Sequence, residues 1–394
     1  MRKSIFILCA VALCASSCQE SIGKLSERVF NVAETQFKQT DARLGDGMLP
    51  RCFQDGKSVD RDLKWWCSGF FPGSCWYVYE WTGDEEMKAI AEKNTHKLDT
   101  LLNTRTGHDI GFQTNCSFGN AYRITGDVQY LPFIEKGAER LATRFSPVTG
   151  VTLSWEPDLS MDWLNPVIID NMMNLELLEV ASKLFGCDSL DNIARTHART
   201  TMANHFRPDF TSYHVVDYDP ETGAVRHKQT RQGYSDESAW GRGQAWAIYG
   251  YTMMFRETGD ADFLAQAENI ADMIIGHLPE DAIPYWDFND PGVPDVLRDA
   301  SAGAIMCSAY VDLSTLTKDP AKAKAYKAVA EKQIRTLASP DYLAEPGTNG
   351  GFLLKHSVGF LGGGSEVDVP LTYADYYYLE ALLKYRNAYG KQPR

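Results

Sequence analysis

One short turn recurs along the chain and constrains its fold more than any other feature. Thr82-Gly83-Asp84, Thr125-Gly126-Asp127 and Thr258-Gly259-Asp260 each close an apolar or aromatic run and open an amphipathic one. A glycine just past the last helical turn accepts the left-handed conformation that ends a helix, and the aspartate after it can cap the first amides of the next. Gly186-Cys187-Asp188 and Lys318-Asp319-Pro320 play the same part more loosely. A chain punctuated in this way is a run of helical hairpins, and such hairpins either close into a barrel or extend into a superhelix.

The two helices of each hairpin differ in character. Segments 74–81, 117–124, 171–185, 243–258 and 300–316, which precede the turns, are rich in large apolar or small residues, as is a last one at 371–389. Segments 85–102, 131–145, 190–206, 261–277 and 321–337, which follow the turns, each carry a charged face, and 22–44 supplies another. Helices that are apolar around most of their surface are buried, and those with one polar face lie outside. Six inner and six outer helices in alternation predict an all-α fold, an (α/α)6 barrel. A closed ring is expected because the unpaired first outer helix and last inner helix can complete each other. Strand-like alternation is confined to short pieces such as 213–218.

The connections are unequal. Inner-to-outer turns take a few residues, whereas the outer-to-inner segments 103–116, 146–170, 207–241, 279–299 and 338–370 are long. Long loops within a compact domain usually carry function, and these gather where the inner helices begin and present their positive ends. An anion-binding cleft is expected there. The first loop holds Thr106, His108 and Asp109; the second holds Trp155 and ends at Asp170; the third holds His214, Gln232 and the run Trp240-Gly241-Arg242-Gly243-Gln244-Ala245-Trp246. Aromatic faces with carboxylates, imidazoles and a guanidinium make up a sugar site. Asp170 stands out, because it follows the apolar run Pro166-Val167-Ile168-Ile169 and heads a long apolar helix. A charge there is costly to bury unless a partner satisfies it or a reaction uses it. Each residue has a plainer reading: Asp170 and Asp109 as helix caps, His108 as a structural imidazole, and Arg242 as the partner of Asp236 or Glu237.

The N-terminus bears on location. Arg2 and Lys3, the apolar stretch 5–13 and Ala15-Ser16-Ser17-Cys18 resemble a bacterial lipoprotein signal. Residues 1–17 are then a signal peptide, Cys18 a lipidated first residue, and 18–394 a single catalytic domain; an ordinary secretory signal is the alternative. Both place the protein outside the cytoplasm, and the expected location is the cell envelope, as a periplasmic protein or membrane-anchored lipoprotein. A net charge of -13 argues against nucleic acid or an anionic membrane surface as partner, but leaves room for an anionic small substrate in a local cationic pocket. Cys52, Cys67, Cys75, Cys116, Cys187 and Cys307 show neither zinc-ligand spacing nor a disulfide framework, so free thiols are expected, with no metal or cofactor.

Gly107-His108-Asp109-Ile110-Gly111-Phe112, Ile168-Ile169-Asp170-Asn171-Met172-Met173-Asn174-Leu175, the Trp240 to Trp246 run, and Asp368-Val369-Pro370-Leu371 before Tyr376-Tyr377-Tyr378-Leu379-Glu380 closely resemble the unsaturated glucuronyl hydrolases of glycoside hydrolase family 88. One departure is Gly241, where serine is common in the family. The resemblance implies hydration of the 4,5-double bond in the unsaturated uronic acid that a polysaccharide lyase leaves at a non-reducing end, releasing the adjacent sugar. By motif match it implies that Asp170 is the general acid/base and that Asp109 holds ring hydroxyls and tunes it. His108, Trp155, His214, Gln232, Arg242 and Trp246 are then substrate-binding residues. Burial and a second carboxylate would raise the Asp170 pKa, and Arg242 is expected as counter-charge to the uronate. The alternatives are an unsaturated rhamnogalacturonyl hydrolase acting on pectin fragments and a non-catalytic glycan-binding lipoprotein. Segment 347–364 is a candidate contact for the leaving sugar, with Lys355 either meeting a sulfate or simply solvated.

Overall fold

The computed structural model describes residues 20–103 and 107–390. The signal segment 1–17, Cys18 and Thr106 lie outside the described residues. The chain begins with outer helix α1 (Ile22–Arg43) and then alternates: inner α2 (Phe70–Thr82), outer α3 (Glu85–His96), inner α4 (Ile110–Thr114), which runs through a π turn, Asn115–Gly119, into α5 (Asn120–Thr125), and outer α6 (Leu131–Ala142). Inner α7 (Asn171–Phe185), outer α8 (Asp188–Asn204), inner α9 (Gly241–Thr258), outer α10 (Ala261–His277), inner α11 (Ala300–Leu316), outer α12 (Pro320–Leu337) and inner α13 (Thr372–Tyr389) complete it.

Each inner helix packs on the next, from α2 onto α5 and the π turn that continue α4, then from α4 through α7, α9, α11 and α13, and α13 packs back on α2. The ring is closed. Helix α1 lies against α3, α12 and α13, so the first outer helix seals the seam beside the last inner one.

The turns behave as their residues predict. Gly83, Gly126, Gly186 and Gly259 take positive φ, and Asp84, Asp127, Asp260 and Asp319 each accept a hydrogen bond from an amide of the following helix. Cys187 is the exception: it makes no side-chain cap, and the acid moves into the first turn as Asp188. The second inner helix begins at Ile110, well before the expected 117, because Asn174 on α7 accepts from the Phe112 amide and satisfies one of the donors that a helix start leaves open.

At the far end of the barrel, where inner helices finish, Arg256 bridges Glu176, Asp312 at 2.8 Å and Glu257 at 2.8 Å, while Lys384 joins Asp312 at 2.8 Å and Glu380 at 3.2 Å. A cavity of about 480 Å³ opens there. Its charged groups are paired with one another, so it is a structural network.

The near end carries the long segments, and short antiparallel strands order them. Strands β1 (Met48–Gln54) and β2 (Lys57–Asp62) form a hairpin in the first connection, and β3 (Phe145–Ser146) pairs with β4 (Val151–Thr152). Strands β5 (Pro166–Ile168), β6 (Val215–Tyr218) and β7 (Val225–Gln229) form one sheet, and β8 (Ser357–Phe360) pairs with β9 (Ser365–Val369). The β1–β2 hairpin is absent from the sequence reading, since Pro50 and a register shift beside it break the alternation that marks a strand. The six cysteines among the described residues are free; five are buried and Cys187 is half-buried.

Candidate active site

The three-stranded sheet sets the first half of the site. Strand β5 leads directly into Asp170, and the pairing of Ile168 with Val215 continues as a bond from the Ile169 amide to the His214 carbonyl at 3.0 Å. That register brings the His214 ring beside Asp170, with Nε2 3.7 Å from Oδ2. On the other side of the ring, Nδ1 accepts the backbone N–H of Arg231 at 3.0 Å and of Gln232 at 3.2 Å. An imidazole nitrogen that accepts two amides carries no proton, so the His214 proton sits on Nε2 and points at Asp170.

A second histidine–aspartate pair faces the first. His108 Nε2 lies 3.5 Å from Asp109 Oδ1, and His108 Nδ1 lies 3.2 Å from Asn174 Nδ2. Both rings are buried in their neutral form: desolvation pushes His108 down to about 3 and His214 well below its usual value. The carboxyls move the other way. Burial raises Asp170 to about 7, with the Arg242 charge opposing and the Asp109 charge adding to the shift. Burial likewise raises Asp109 to about 7 against the pull of Arg144 and Asn174. Both nonetheless open to the cleft, their side chains 13% and 24% exposed.

Neither carboxylate caps its helix. Asp170 and Asp109 occupy the N-cap positions of α7 and α4 without a side-chain bond to the helix amides. Asp299, at the head of α11, caps the Ser301 amide at 3.0 Å and pairs with Arg242 at 3.2 Å. Four buried polar atoms of the site, Asp170 Oδ2, His214 Nε2, His108 Nε2 and Trp246 Nε1, have no hydrogen-bond partner within the protein. Buried polar groups are nearly always satisfied, so a group of orphans beside two carboxyls marks a place shaped for a ligand.

The other expected site residues divide into open and enclosed. Trp155 is half-buried, its ring 5.2 Å from Trp163 and edge-on to His214 at 6.0 Å. Gln232 donates to the Gly359 carbonyl at 3.0 Å, which ties the third loop to β8. Trp246 is fully buried, and its ring packs on Phe112 at 5.4 Å and Tyr377 at 5.7 Å. Arg242, expected as the counter-charge to the uronate, is enclosed. It is 1% exposed, its Nη atoms donate to the Val358 and Gly359 carbonyls and to Asp299, and it bonds neither Asp236 nor Glu237. Only its Nε lacks a partner, so its charge reaches Asp170 chiefly as a field. Lys355 likewise does not stand free, since its Nζ donates to the Pro340 carbonyl at 2.6 Å.

Some site residues were not singled out from sequence. Trp240 lies 4.6 Å from the His214 ring and under the Arg242 guanidinium at 4.4 Å. Arg231 is exposed over Phe360 at 4.7 Å and has no carboxylate partner among the described residues. Trp240 lies in a quoted motif, whereas Arg231 sits in a polar stretch without periodicity. Gly241 explains its own departure: a Cβ there would overlap the Tyr285 carbonyl oxygen and lie 3.1 Å from that of Trp286. Among the described residues no group of three or more His, Cys, Asp or Glu could hold a metal ion.

The model of Glycosyl Hydrolase Family 88 matches residues 43–380. The chain belongs to this family. The family 88 chain is 40% identical to an unsaturated glucuronyl hydrolase of Formosa agariphila, over 98% of this chain and 99% of that relative. It is 34% identical to an unsaturated chondroitin disaccharide hydrolase of Streptococcus pneumoniae, over 93% and 92% of the two chains. Among solved structures, an unsaturated glucuronyl hydrolase specific for heparin superposes with a TM-score of 0.89 at 46% identity, covering 92% of this chain and 97% of that one. The unsaturated glucuronyl hydrolase of Bacillus sp. GL1 superposes with a TM-score of 0.86 at 29% identity, over 94% and 97%. This family 88 chain therefore has the (α/α)6 barrel and is a glycoside hydrolase.

Proposed function

We propose that this family 88 enzyme is an unsaturated glucuronyl hydrolase acting on the lyase-generated oligosaccharides of glycosaminoglycans. The observation that carries the reading is Asp170: a carboxyl raised to about 7, unpartnered at Oδ2, at the head of an inner helix and faced by a neutral imidazole donor. Such a group holds a proton near neutrality and can deliver it. The substrate is an enol ether, so a proton added at C4 leaves a cation at C5 that the ring oxygen shares. Water then adds to C5, and the Asp170 carboxylate takes up the proton that the water releases. The resulting hemiketal opens by breaking the bond between C5 and the ring oxygen, giving a C5 ketone and a hemiacetal at C1 that releases the neighbouring sugar. Asp170 is regenerated protonated. His108 and His214 supply N–H donors to hydroxyls or carboxylate of the uronate, Asp109 accepts from a hydroxyl, and Trp155 offers a face to the ring.

The names of the relatives support a glycosaminoglycan source over pectin fragments. The test is direct, because hydration destroys the ultraviolet absorbance of the conjugated uronate. Wild-type protein bleaches unsaturated chondroitin or heparin disaccharides, and Asp170→Asn binds them with turnover reduced at least about 10³-fold. Binding without turnover of any unsaturated disaccharide by the wild type would leave only a glycan-capturing protein. The N-terminal pattern adds a proposal on place: Cys18 carries a lipid and tethers the enzyme in the cell envelope. Incorporation of labelled fatty acid, lost on Cys18→Ala, checks it.

A further inference from the structure

Asn174 belongs to the quoted motif around Asp170 but has no part in the chemistry above. It lies one helical turn after Asp170 on α7, is fully buried, and reaches across to the head of α4. Its Oδ1 accepts the Phe112 N–H at 2.8 Å. Because that partner can only donate, the side-chain amide has one orientation, and its NH2 faces His108 Nδ1 at 3.2 Å. An NH2 can only donate, so Nδ1 must accept and the His108 proton must be on Nε2. Packing holds the amide in place: a Cβ on Gly111 would lie 2.6 Å from Asn174 Cα, so α4 and α7 touch at a glycine that leaves the amide no freedom to swing.

The two imidazoles are thus set by different means. Backbone amides fix His214, whereas a side chain fixes His108. We infer that Asn174 is a positioning residue that locks His108 as the Nε2–H tautomer, so that Asp109 always faces a donor and never a lone pair. The consequence for turnover rests on the function proposed above; the tautomer and its effect on Asp109 do not. The donor 3.5 Å from Oδ1 and the Arg144 cation favour the charged form of Asp109, and that charge in turn helps to raise Asp170.

Two variants test it. Asn174→Asp keeps the acceptor for the Phe112 amide but cannot donate to His108, so the ring should take its proton on Nδ1. Asn174→Leu has a similar volume, adds no charge and removes the donor. Long-range proton–nitrogen correlation on protein with ¹⁵N-labelled histidine reads the tautomer without substrate, and ¹³C-labelled aspartate reads the Asp109 carboxyl. The wild type should show His108 as Nε2–H and Asn174→Asp as Nδ1–H. In Asn174→Leu, Asp109 loses the direct pull of Asn174 together with the fixed Nε2–H donor and should titrate higher by about half a pH unit or more, and kcat on an unsaturated disaccharide should fall at least tenfold with KM changed less. A purely structural role would lower the melting temperature and leave the tautomer where it was. A wild-type Nδ1–H ring, or an Asn174→Asp ring that keeps its proton on Nε2, overturns the inference. A wild type that turns over nothing overturns the function proposed above instead, and leaves the spectroscopic result standing. Should Asn174→Leu fail to fold, Asn174→Asp still decides the tautomer.

Discussion

Asp299 and Asp170 both head an inner helix, yet only Asp299 caps it. Asp299 spends its lone pairs on an amide, a hydroxyl and Arg242, whereas Asp170 keeps one oxygen unpartnered and its pKa rises to about 7. Two outcomes follow at this scale. In the proposed mechanism Asp170 acts as the protonated acid, so kcat should fall about tenfold per pH unit above the pKa near 7, as a pH–rate profile would show. Stability carries the same sign. The folded-state pKa lies above the unfolded value near 3.8, so the native state favours the proton, and the stability linked to it is lost as pH rises from about 4 through about 7. Asp170→Asn should therefore gain over wild type on going from pH 4.5 to pH 8, by an amount on the order of 2 kcal/mol, visible in paired thermal melts. Gly241→Ser should destabilise by about 2 kcal/mol or more in urea titration, because the Tyr285 carbonyl leaves no space for a Cβ.

Among elements, the hairpin turn was readable because everything it needs lies within a few residues. A left-handed glycine and a capping aspartate act on amides two or three positions away. Asp319 caps the Ala321 amide at 2.8 Å and forms no salt bridge among the described residues, so Asp319→Ala should cost about 1 kcal/mol, measured by chemical unfolding. The strands around the mouth were harder to read. The segment 213–218 was seen, but β5 is a short apolar run whose partner lies some fifty residues on, so no local period distinguishes it from the start of a helix. That missed pairing is what sets the first half of the site, since the register of β5 on β6 decides that His214 meets Asp170.

For the molecule as a whole, the two ends of the barrel divide the work. The loop end gathers orphaned polar atoms around two raised carboxyls, and the far end gathers paired charges around Arg256. Arg256→Ala would strand Glu176 on α7 and leave Asp312 on α11 with Lys384 as its remaining partner. The expected result is a loss of about 2–3 kcal/mol in unfolding experiments, with kcat/KM at a permissive temperature unchanged. A loss of activity without loss of stability would mean that the far end takes part in the chemistry.

Alone, the sequence determined the alternation of buried and amphipathic helices and where each turn falls, because capping and helical periodicity are short-range effects. Its long motifs also pointed to the family and to Asp170, Asp109, His108 and His214 as one group. Closure was expected from the unpaired first outer and last inner helices, but a barrel and a superhelix share the same hairpin, and the meeting of α13 with α2 is what distinguishes them. The state of each charge was left to the tertiary structure. Whether an aspartate caps or stays free, whether Arg242 is open or spent on Val358 and Gly359, and which nitrogen of His108 carries the proton all depend on groups distant in the chain. Desolvation and hydrogen bonding at a site belong to its surroundings, and only the folded chain supplies those surroundings.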